Sequence, residues 1–338
     1  MSALVICTGG GIGDLLLATP VMRALRGRFG EVVALTSPAH RDVLANDPEL
    51  SAVWADDLGF GAQARRIAAA KFDAAIVTWA TPRSAALPLA ARIPIRVGQA
   101  RRLYSLAFTQ RVLVRSELGD RTTHWTQILL DFARAIGCDT ADAAPRFTVP
   151  DAARASLAAT LREAGVAGRY IVLHPTRGIA ASRERWPATR LAELARALGT
   201  AYGARVVVTG SADDRSIAAR IAEGPAALSL AGRTSLAEFG ALAEGALAVV
   251  AMDSGPMHVA AAVGAPTLGI FALQSDEPDR WAPLGPRVTV LRATYPCPPG
   301  HRKETCPDFA CIEALEIPRL LAALDELLTR DAPKEHGG

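Results

Sequence analysis

The strongest constraint on the fold is an alternation of short β-branched runs with longer helical stretches, which occurs twice along the chain. In the first half, residues 4–7, 32–35, 74–78 and 96–98 predict strands, and one amphipathic helix is expected from the glycine loop to about residue 28. The second half predicts strands at 170–174, 205–209, 247–252 and 267–271. Strands that alternate with helices indicate βαβ units, so the sequence predicts two α/β domains with mostly parallel sheets.

The domain boundary is expected in the proline-bounded segment 145–150. A length of 338 residues fits two domains at about 150 residues each. We therefore predict an N-terminal domain over residues 1–148 and a C-terminal domain over 149–338 that ends in a terminal helix. Ligands of such sheets bind beyond the carboxyl ends of the strands, so two domains in series predict a shared cleft.

Composition and charge argue against several classes of protein. The chain is 50% hydrophobic and its formal net charge is only +3, which gives no reason to expect a nucleic-acid partner. The sequence shows neither a basic secretory leader nor an apolar run of about 18 residues. Five cysteines, an odd number, do not indicate a disulfide framework. We expect a cytoplasmic protein.

A glycine-rich loop, Thr-Gly-Gly-Gly-Ile-Gly-Asp over residues 8–14, follows the first predicted strand. The dinucleotide pattern G-x-G-x-x-G is not met, because its last glycine, counted from Gly9, falls on Asp14. A nicotinamide or flavin enzyme is therefore disfavoured. Asp14 has two interpretations: a carboxylate that stabilises a helix N-terminus, or a general base that accepts a proton from an acceptor hydroxyl.

A second unusual turn, Asp-Ser-Gly-Pro-Met-His over residues 253–258, follows the predicted strand 247–252. Backbone N–H groups at such a helix start can face a diphosphate, and Ser254 can add a hydroxyl. His258 could donate to a phosphate oxygen. An ordinary strand–turn–helix with an aspartate cap is the alternative, and the run of small, polar and proline residues favours the anion site.

These motifs resemble those of glycosyltransferase family 9, the heptosyltransferases. The segment 253–261 is similar to the family's donor-binding signature, and residues 11–14 with Thr19 and Pro20 are similar to its N-terminal signature. Further similar segments are 174–175, 185–187 and 230–236, and the similarity runs in order from residue 3 to about 315.

The resemblance implies a GT-B fold, α/β with two Rossmann-like domains whose parallel sheets face a central cleft. It also implies inverting, metal-independent transfer of a sugar, expected to be heptose, from a nucleotide diphosphate, expected to be ADP-linked. The acceptor is a saccharide or is lipid-linked, as in lipopolysaccharide biosynthesis. The nucleotide sugar would bind the C-terminal domain and the acceptor the N-terminal domain, and no cofactor is expected. A sugar-nucleotide epimerase of the same fold and a non-catalytic nucleotide-binding protein are the alternatives.

The resemblance also assigns residues. Asp14 would be the general base, with Gly11 and Gly13 on the acceptor side. The donor diphosphate would contact the following residues: Thr176, Asp253, Ser254, Gly255 and His258. Asp213 would bind the ribose hydroxyls.

The chain departs from the family pattern at two positions. The lysine that the family often carries two residues before its Trp-Pro is Glu184 here, between Arg183 and Arg185. Either arginine could neutralise the phosphates, and we favour Arg185 because it adjoins Trp186. The family's frequent Phe-Gly after the last strand is replaced by Phe271 and Ala272.

Two further segments carry open interpretations. Residues 92–115 hold six arginines, among them Arg96, Arg101 and Arg102, interleaved with apolar side chains. They form either a solvated face or a contact with an anionic, lipid-linked acceptor, which would make the protein peripheral to the inner face of the cytoplasmic membrane. Cysteines 297, 306 and 311 with His301 lack the usual zinc spacing, so a packed or redox-sensitive loop is favoured and no metal is expected.

Overall fold

Each half of the chain forms its own parallel six-stranded sheet in the computed structural model, which describes residues 1–176, 187–272, 277–298 and 306–330. The chain divides into unit 1, Met1–Thr148, and unit 2, Val149–Gly338. The strands of unit 1 are β1 Ser2–Cys7, β2 Glu31–Thr36, β3 Ala52–Ala55, β4 Ala74–Val77, β5 Ile95–Gln99 and β6 Gln110–Val112. Those of unit 2 are β7 Tyr170–His174, β8 Arg205–Val208, β9 Ala227–Ser229, β10 Ala248–Met252, β11 Thr267–Phe271 and β12 Val288–Arg292.

The helices alternate with these strands. Unit 1 contains α1 Ile12–Leu17, α2 Thr19–Arg26, α3 Phe60–Ala70, α4 Pro82–Ala90 and α5 Trp125–Arg134, with 3-10 helices at Pro38–Val43, Leu103–Ala107 and Arg115–Leu118. Unit 2 contains α6 Asp151–Glu163, α7 Ala188–Tyr202, α8 Arg215–Ile221, α9 Leu236–Glu244, α10 Gly255–Ala262, α11 Pro278–Trp281, α12 Ala310–Glu313 and α13 Ile317–Thr329, with a 3-10 helix at Ala212–Asp214.

Both sheets have the same doubly wound strand order. In unit 1 the order is β3-β2-β1-β4-β5-β6, and in unit 2 it is β9-β8-β7-β10-β11-β12. All pairs are parallel. The chain therefore starts at the centre, winds outward to one edge, and returns to wind toward the other edge. The neighbours β1 and β4, and likewise β7 and β10, flank the point where this direction reverses, which we call the switch point of each unit.

Helices cover both faces of each sheet, so the central strands are buried. In unit 1, α3 and α4 pack on one face, and α2 contacts α5. In unit 2, the apolar sides of α7, α8 and α13 share one core with the strands, while α6, α9 and α10 pack together. All five residues of β7 and of β10 are buried. Because both faces of the central strands are covered, these strands are apolar at nearly every position, and the sequence shows them as continuous apolar runs.

The first predicted helix is broken into two, which corrects the expectation of one helix to residue 28. The break is at Ala18, between α1 and α2. Pro20 has no N–H with which to bond the carbonyl of Leu16, as a continuous helix requires. The hydroxyl of Thr19 donates to that carbonyl instead, at 2.8 Å. The Thr-Pro pair thus turns the chain while its backbone acceptor stays satisfied.

The described residues contain no helix that is both long and apolar enough to cross a membrane. Cys7 lies in β1, where burial raises the pKa of its thiol to about 12. Cys306 and Cys311 are buried in the core of unit 2. His301 lies outside the described residues, so the cysteine-loop interpretations stay predictions.

Candidate functional site

The loop after β1 holds Asp14 against the start of α1. The backbone N–H of Gly11, the N-cap residue, donates to Asp14 Oδ2 at 2.7 Å. Gly10 has a φ of +80°, and a Cβ there would lie 2.6 Å from Asp14 Oδ2. A side chain at residue 10 is therefore disfavoured for two reasons: the positive φ favours glycine, and a Cβ would clash with the Asp14 carboxylate. The glycines allow the Asp14 carboxylate to fold back over the loop.

Asp14 thus caps its helix, as one of the two interpretations expected. The other interpretation is compatible with this bond, because a carboxylate has two oxygens and accepts about four hydrogen bonds. A helix N-terminus also stabilises a negatively charged side chain, which is the state that a general base requires. The cap therefore fixes the position of the carboxylate.

A tryptophan pair borders this loop on the other side of the switch point. Trp79 follows β4, and a Cβ on Gly9 would be 2.9 Å from the Cβ of Trp79. The indole of Trp79 stacks on that of Trp125, with ring centroids 5.3 Å apart and planes at 26°. The loops after β1 and β4 are thus in contact. The sequence prediction missed Trp79, although its position directly after the predicted strand 74–78 was a usable signal.

In unit 2, the start of α10 lies directly after β10, at the switch point. Ser254 is its N-cap residue, but the Ser254 hydroxyl donates to the carbonyl of Met252 at 2.8 Å and does not cap the helix. Pro256 in the first turn has no N–H to satisfy. Close packing fixes this helix on the sheet, because a Cβ on Gly269 of β11 would lie 2.8 Å from Met257 Sδ.

His258 and Asp253 flank that helix start with different chemistry. His258, on the first turn of α10, is buried with 6% of its surface exposed. Asp253 donates its backbone N–H to the carbonyl of Ile270 at 3.0 Å. An ionised carboxylate offers only acceptors, so neither its side chain nor that N–H is a donor for phosphate oxygens. The predicted place of Asp253 in the diphosphate site therefore rests on the resemblance.

A buried carboxylate, Asp214, connects the loops after β7 and β8. Asp214 is only 2% exposed. Its Oδ2 accepts from the backbone N–H of Ser211 at 2.8 Å, the Ser211 hydroxyl at 2.6 Å and the Thr176 hydroxyl at 3.3 Å. The Thr176 hydroxyl has one proton, so in this geometry it donates to Asp214 and not to a phosphate. The Ser-x-x-Asp capping pattern at 211–214 was the sequence signal for this missed residue.

His174, the last residue of β7, lies beside this network. Its Nδ1 and Thr209 Oγ1 share a hydrogen bond of 3.0 Å, and its ring meets that of Phe239 edge to face. Burial lowers the pKa of His174 from 6.5 to about 4, against a smaller opposing effect of the Asp214 charge. The imidazole is therefore neutral at physiological pH.

Asp213 points to a different environment from its neighbour Asp214. It is exposed in the 3-10 helix that follows β8, the second strand of unit 2. In dinucleotide-binding folds, an acidic residue after the second strand holds ribose hydroxyls. Asp213 is therefore accessible to a ligand, and its ribose contact stays a prediction.

The predicted acceptor arginines are tied into unit 1. Arg96 Nε donates to the carbonyl of Ala107 at 2.7 Å. Arg101 donates to the carbonyl of Glu117 at 3.0 Å, and Arg102 forms a 2.6 Å ion pair with the Glu117 carboxylate. Arg183, Glu184, Arg185 and Trp186 lie outside the described residues, so the choice between the two arginines stays a prediction.

Comparison with known proteins places the chain in a family. The sequence model of the family described as glycosyltransferase family 9 (heptosyltransferase) matches residues 61–308, well over half of the chain. The chain belongs to this family. It is 28% identical over 306 residues to lipopolysaccharide heptosyltransferase 2 of Salmonella typhimurium. The aligned region covers 83% of this chain and 85% of the relative. The corresponding Escherichia coli K12 protein is also 28% identical, over 305 residues. The chain is thus a glycosyltransferase, and the family resemblance seen in the sequence is confirmed.

Solved structures of similar fold support the predicted fold class. A family 9 glycosyltransferase from Veillonella parvula has a TM-score of 0.82 at 19% identity, over 98% of both chains. The ADP-heptose lipopolysaccharide heptosyltransferase II of Escherichia coli has a TM-score of 0.78 at 23% identity, over 98% of this chain and 99% of its own. Together with the two six-stranded parallel sheets, these structures confirm an α/β fold of GT-B type with two Rossmann-like domains.

The Asp214 network makes a prediction about stability. We expect Asp214→Ala to lower the free energy of unfolding of unit 2 by about 2–3 kcal/mol, because three donors lose a buried charged acceptor. Asp213→Ala is the matched control, and it should change stability by no more than about 0.5 kcal/mol because the residue is exposed. Urea unfolding followed by circular dichroism measures both. Equal effects of the two substitutions would contradict the role of Asp214.

The buried imidazole makes a prediction about pH. Because the folded pKa of about 4 lies below the ordinary 6.5, the unfolded chain binds the proton first as the pH falls. Stability should therefore decrease from pH 6.5 to pH 4, by about 3 kcal/mol from His174 alone. His174→Asn keeps a hydrogen-bonding group for Thr209 and does not titrate. The wild-type minus variant difference in unfolding free energy should carry this slope, and a pH-independent difference would refute it.

Proposed function

We propose that this family 9 enzyme transfers a heptose from an ADP-linked donor to a saccharide or lipid-linked acceptor, with inversion and without a metal ion. Unit 2 would bind the nucleotide sugar, and unit 1 would bind the acceptor. The names of the relatives support the sugar and the acceptor class, since they are lipopolysaccharide heptosyltransferases. Solved Escherichia coli heptosyltransferase structures of the same fold contain ADP and an ADP-heptose analogue, which supports the donor.

The observation that carries the proposal is the contrast between the two helix starts at the switch points. The start of α1 already holds the carboxylate of Asp14, bonded to the Gly11 N–H. A diphosphate there would meet a negative charge. The Ser254 hydroxyl turns away from the start of α10, and this helix end favours an anion. The contrast supports a base in unit 1 and a diphosphate in unit 2.

The proposed reaction is a single displacement. Asp14 accepts the proton of an acceptor hydroxyl, and the acceptor oxygen attacks the anomeric carbon on the face opposite the diphosphate. The bond between that carbon and the diphosphate oxygen breaks, and its electron pair leaves with ADP. The N–H groups at the start of α10 and His258 would stabilise the charge on the leaving diphosphate. Gly11 and Gly13, which have no side chains, would leave room for an acceptor to approach Asp14.

The remaining residues would hold the donor. Asp213 would bind the ribose, and Arg185 would offset the diphosphate charge in place of a divalent cation. Thr176 would contact phosphate after its hydroxyl leaves Asp214. Asp253, which offers acceptors only, suits a donor hydroxyl better than a phosphate.

Transfer of label from ADP-heptose to a deacylated lipopolysaccharide-core acceptor, measured with and without EDTA, tests the proposal. We expect acceptor-dependent transfer that EDTA does not reduce. Loss of turnover in EDTA that magnesium restores would refute the metal-free step. Conversion of the donor without any acceptor would favour the epimerase alternative. A UDP-GlcNAc 2-epimerase from Methanocaldococcus jannaschii shares this fold at a TM-score of 0.52 and 13% identity, so the fold alone does not decide between them.

Asp14→Asn separates the capping role from the basic role. The amide oxygen of asparagine can still accept from the Gly11 N–H, so folding and donor affinity should be nearly unchanged. Turnover should fall about 10²–10⁴-fold, as is typical when a general base is lost. Turnover at the wild-type rate, with the melting temperature also unchanged, would leave Asp14 with the cap alone.

His258→Ala should weaken ADP binding more than adenosine binding, because the imidazole is proposed to donate to the diphosphate. The expected loss for ADP is about 10- to 100-fold, the equivalent of one charge-assisted hydrogen bond. Ser254→Ala is the control, with a smaller loss expected, because its hydroxyl proton is already donated to Met252. Calorimetric titration measures both ligands. Equal losses for ADP and adenosine would place His258 away from the diphosphate.

A further inference from the structure

We propose that the 3-10 helix Leu103–Ala107 of unit 1, here named the leucine turn, docks on an anionic lipid bilayer. Leu103 and Leu106 would enter the interface between headgroups and acyl chains, and nearby arginines would face the headgroups. The inference depends on one part of the proposed function, namely that the acceptor is lipid-linked.

The leucine turn exposes two large apolar side chains on one side. Leu103 is 87% exposed and Leu106 is 70% exposed. In a 3-10 helix, residues i and i+3 eclipse one another, so these two side chains form a single apolar ridge. Isolated exposed leucines are common on protein surfaces, but a stacked pair at this level of exposure is not required by packing.

The rest of the turn is anchored, so the ridge stays exposed. The Tyr104 hydroxyl donates to the carbonyl of Ala80 at 2.7 Å, and Ser105 is buried. Phe108, the residue after the turn, is also buried, and a Cβ on Gly98 would lie only 2.3 Å from its ring. Arg96 holds the last carbonyl of the turn, that of Ala107. Rotating the leucines inward would break these contacts.

The stretch of sequence that contains the ridge is rich in arginine. Residues 92–121 contain seven arginines and two acidic residues, a net charge of +5, whereas the whole chain carries +3. Arg101 and Arg102 directly precede Leu103. The side chain of Arg102 remains 49% exposed in its ion pair with Glu117. Arg111 is exposed on β6, the edge strand beside the turn.

This combination favours a bilayer over other anionic partners. Apolar side chains beside arginines are typical of segments that lie in the membrane interface, where acyl chains and anionic headgroups are met together. Nucleic acid supplies the charge, but its backbone offers no apolar layer for two leucines. An acidic protein would need an apolar pocket within its charged surface.

The turn also lies at the edge of the sheet that carries the proposed base. The turn follows β5, just as the Asp14 loop follows β1. Because all strands of this sheet are parallel, the loops that follow them emerge at the same edge of the sheet. The bond from Tyr104 to Ala80 connects it to the loop after β4, whose Trp79 touches Gly9. A membrane at the leucine turn would thus present a lipid-linked acceptor on the side of unit 1 where Asp14 lies.

Co-sedimentation of the full chain with lipid vesicles tests the proposal. We expect binding to vesicles that contain phosphatidylglycerol, weak binding to phosphatidylcholine alone, and a decrease with salt. The double variant Leu103→Ser with Leu106→Ser should have a partition coefficient at least about tenfold lower. The free energy lost when even one leucine is withdrawn from an apolar environment is larger than the free energy of a tenfold change. The control is Leu58→Ser with Phe60→Ser, two exposed apolar residues that follow Asp56 and Asp57. This pair should bind vesicles like the wild type.

Two outcomes would overturn the proposal. One is vesicle binding by the Leu103 and Leu106 double variant that equals wild-type binding. The other is absence of wild-type binding together with a dimer that this variant dissociates, which would make the ridge a contact between copies. ADP binding and transfer to a deacylated acceptor, measured on the same variants, report on the proposed function separately. ADP binding and transfer should both be unchanged in the double variant. If the wild type shows neither, the proposed function is refuted, and the vesicle experiment still tests the docking of the leucine turn.

Discussion

The reversal of winding direction at the centre of each sheet is the constraint on which the site depends. Connections between parallel strands are right-handed, so helices on one side of β1 cover one face of the sheet and those on the other side cover the opposite face. The helices after β1 and β4 therefore lie on opposite faces of the sheet, and the two loops touch where Gly9 meets Trp79. In unit 2 the helices after β7 and β10 likewise pack in different layers, α7 with α8 and α13, and α10 with α9. Backbone N–H groups at the start of α10 can then face an anionic ligand.

Chemistry distinguishes two positions that topology makes equivalent. In unit 1 the helix after β1 begins with its own carboxylate, Asp14, held by Gly11 and accommodated by Gly10. In unit 2 the helix after β10 begins with Ser254, whose hydroxyl is turned back to the strand. A carboxylate bonded to the N-cap N–H at one helix start, and a hydroxyl turned back to the strand at the other, make the two helix starts chemically different. This difference is the ground on which we propose a proton acceptor in unit 1 and an anionic ligand in unit 2.

The sequence was most informative where burial is continuous and least informative at edges and inside polar networks. Strands β1, β7, β10 and β11 are buried apolar runs and were predicted within a residue or two. The edge strands β3, β6 and β9 have only three or four residues and are partly exposed, so they lack that pattern. The break at Ala18 was missed because a threonine hydroxyl replaces a backbone donor there. Asp214 was missed because its importance comes from loops that only the fold brings together.

Among the residues that the structure describes, each unit has its own six-stranded sheet and its own apolar core. Cooperativity within a unit is therefore supplied by its own contacts, and the chain need not unfold in a single all-or-none step. A ligand that binds only one unit would raise the melting temperature of that unit. Calorimetric scans of such a chain would consequently show where a ligand binds as well as whether it binds.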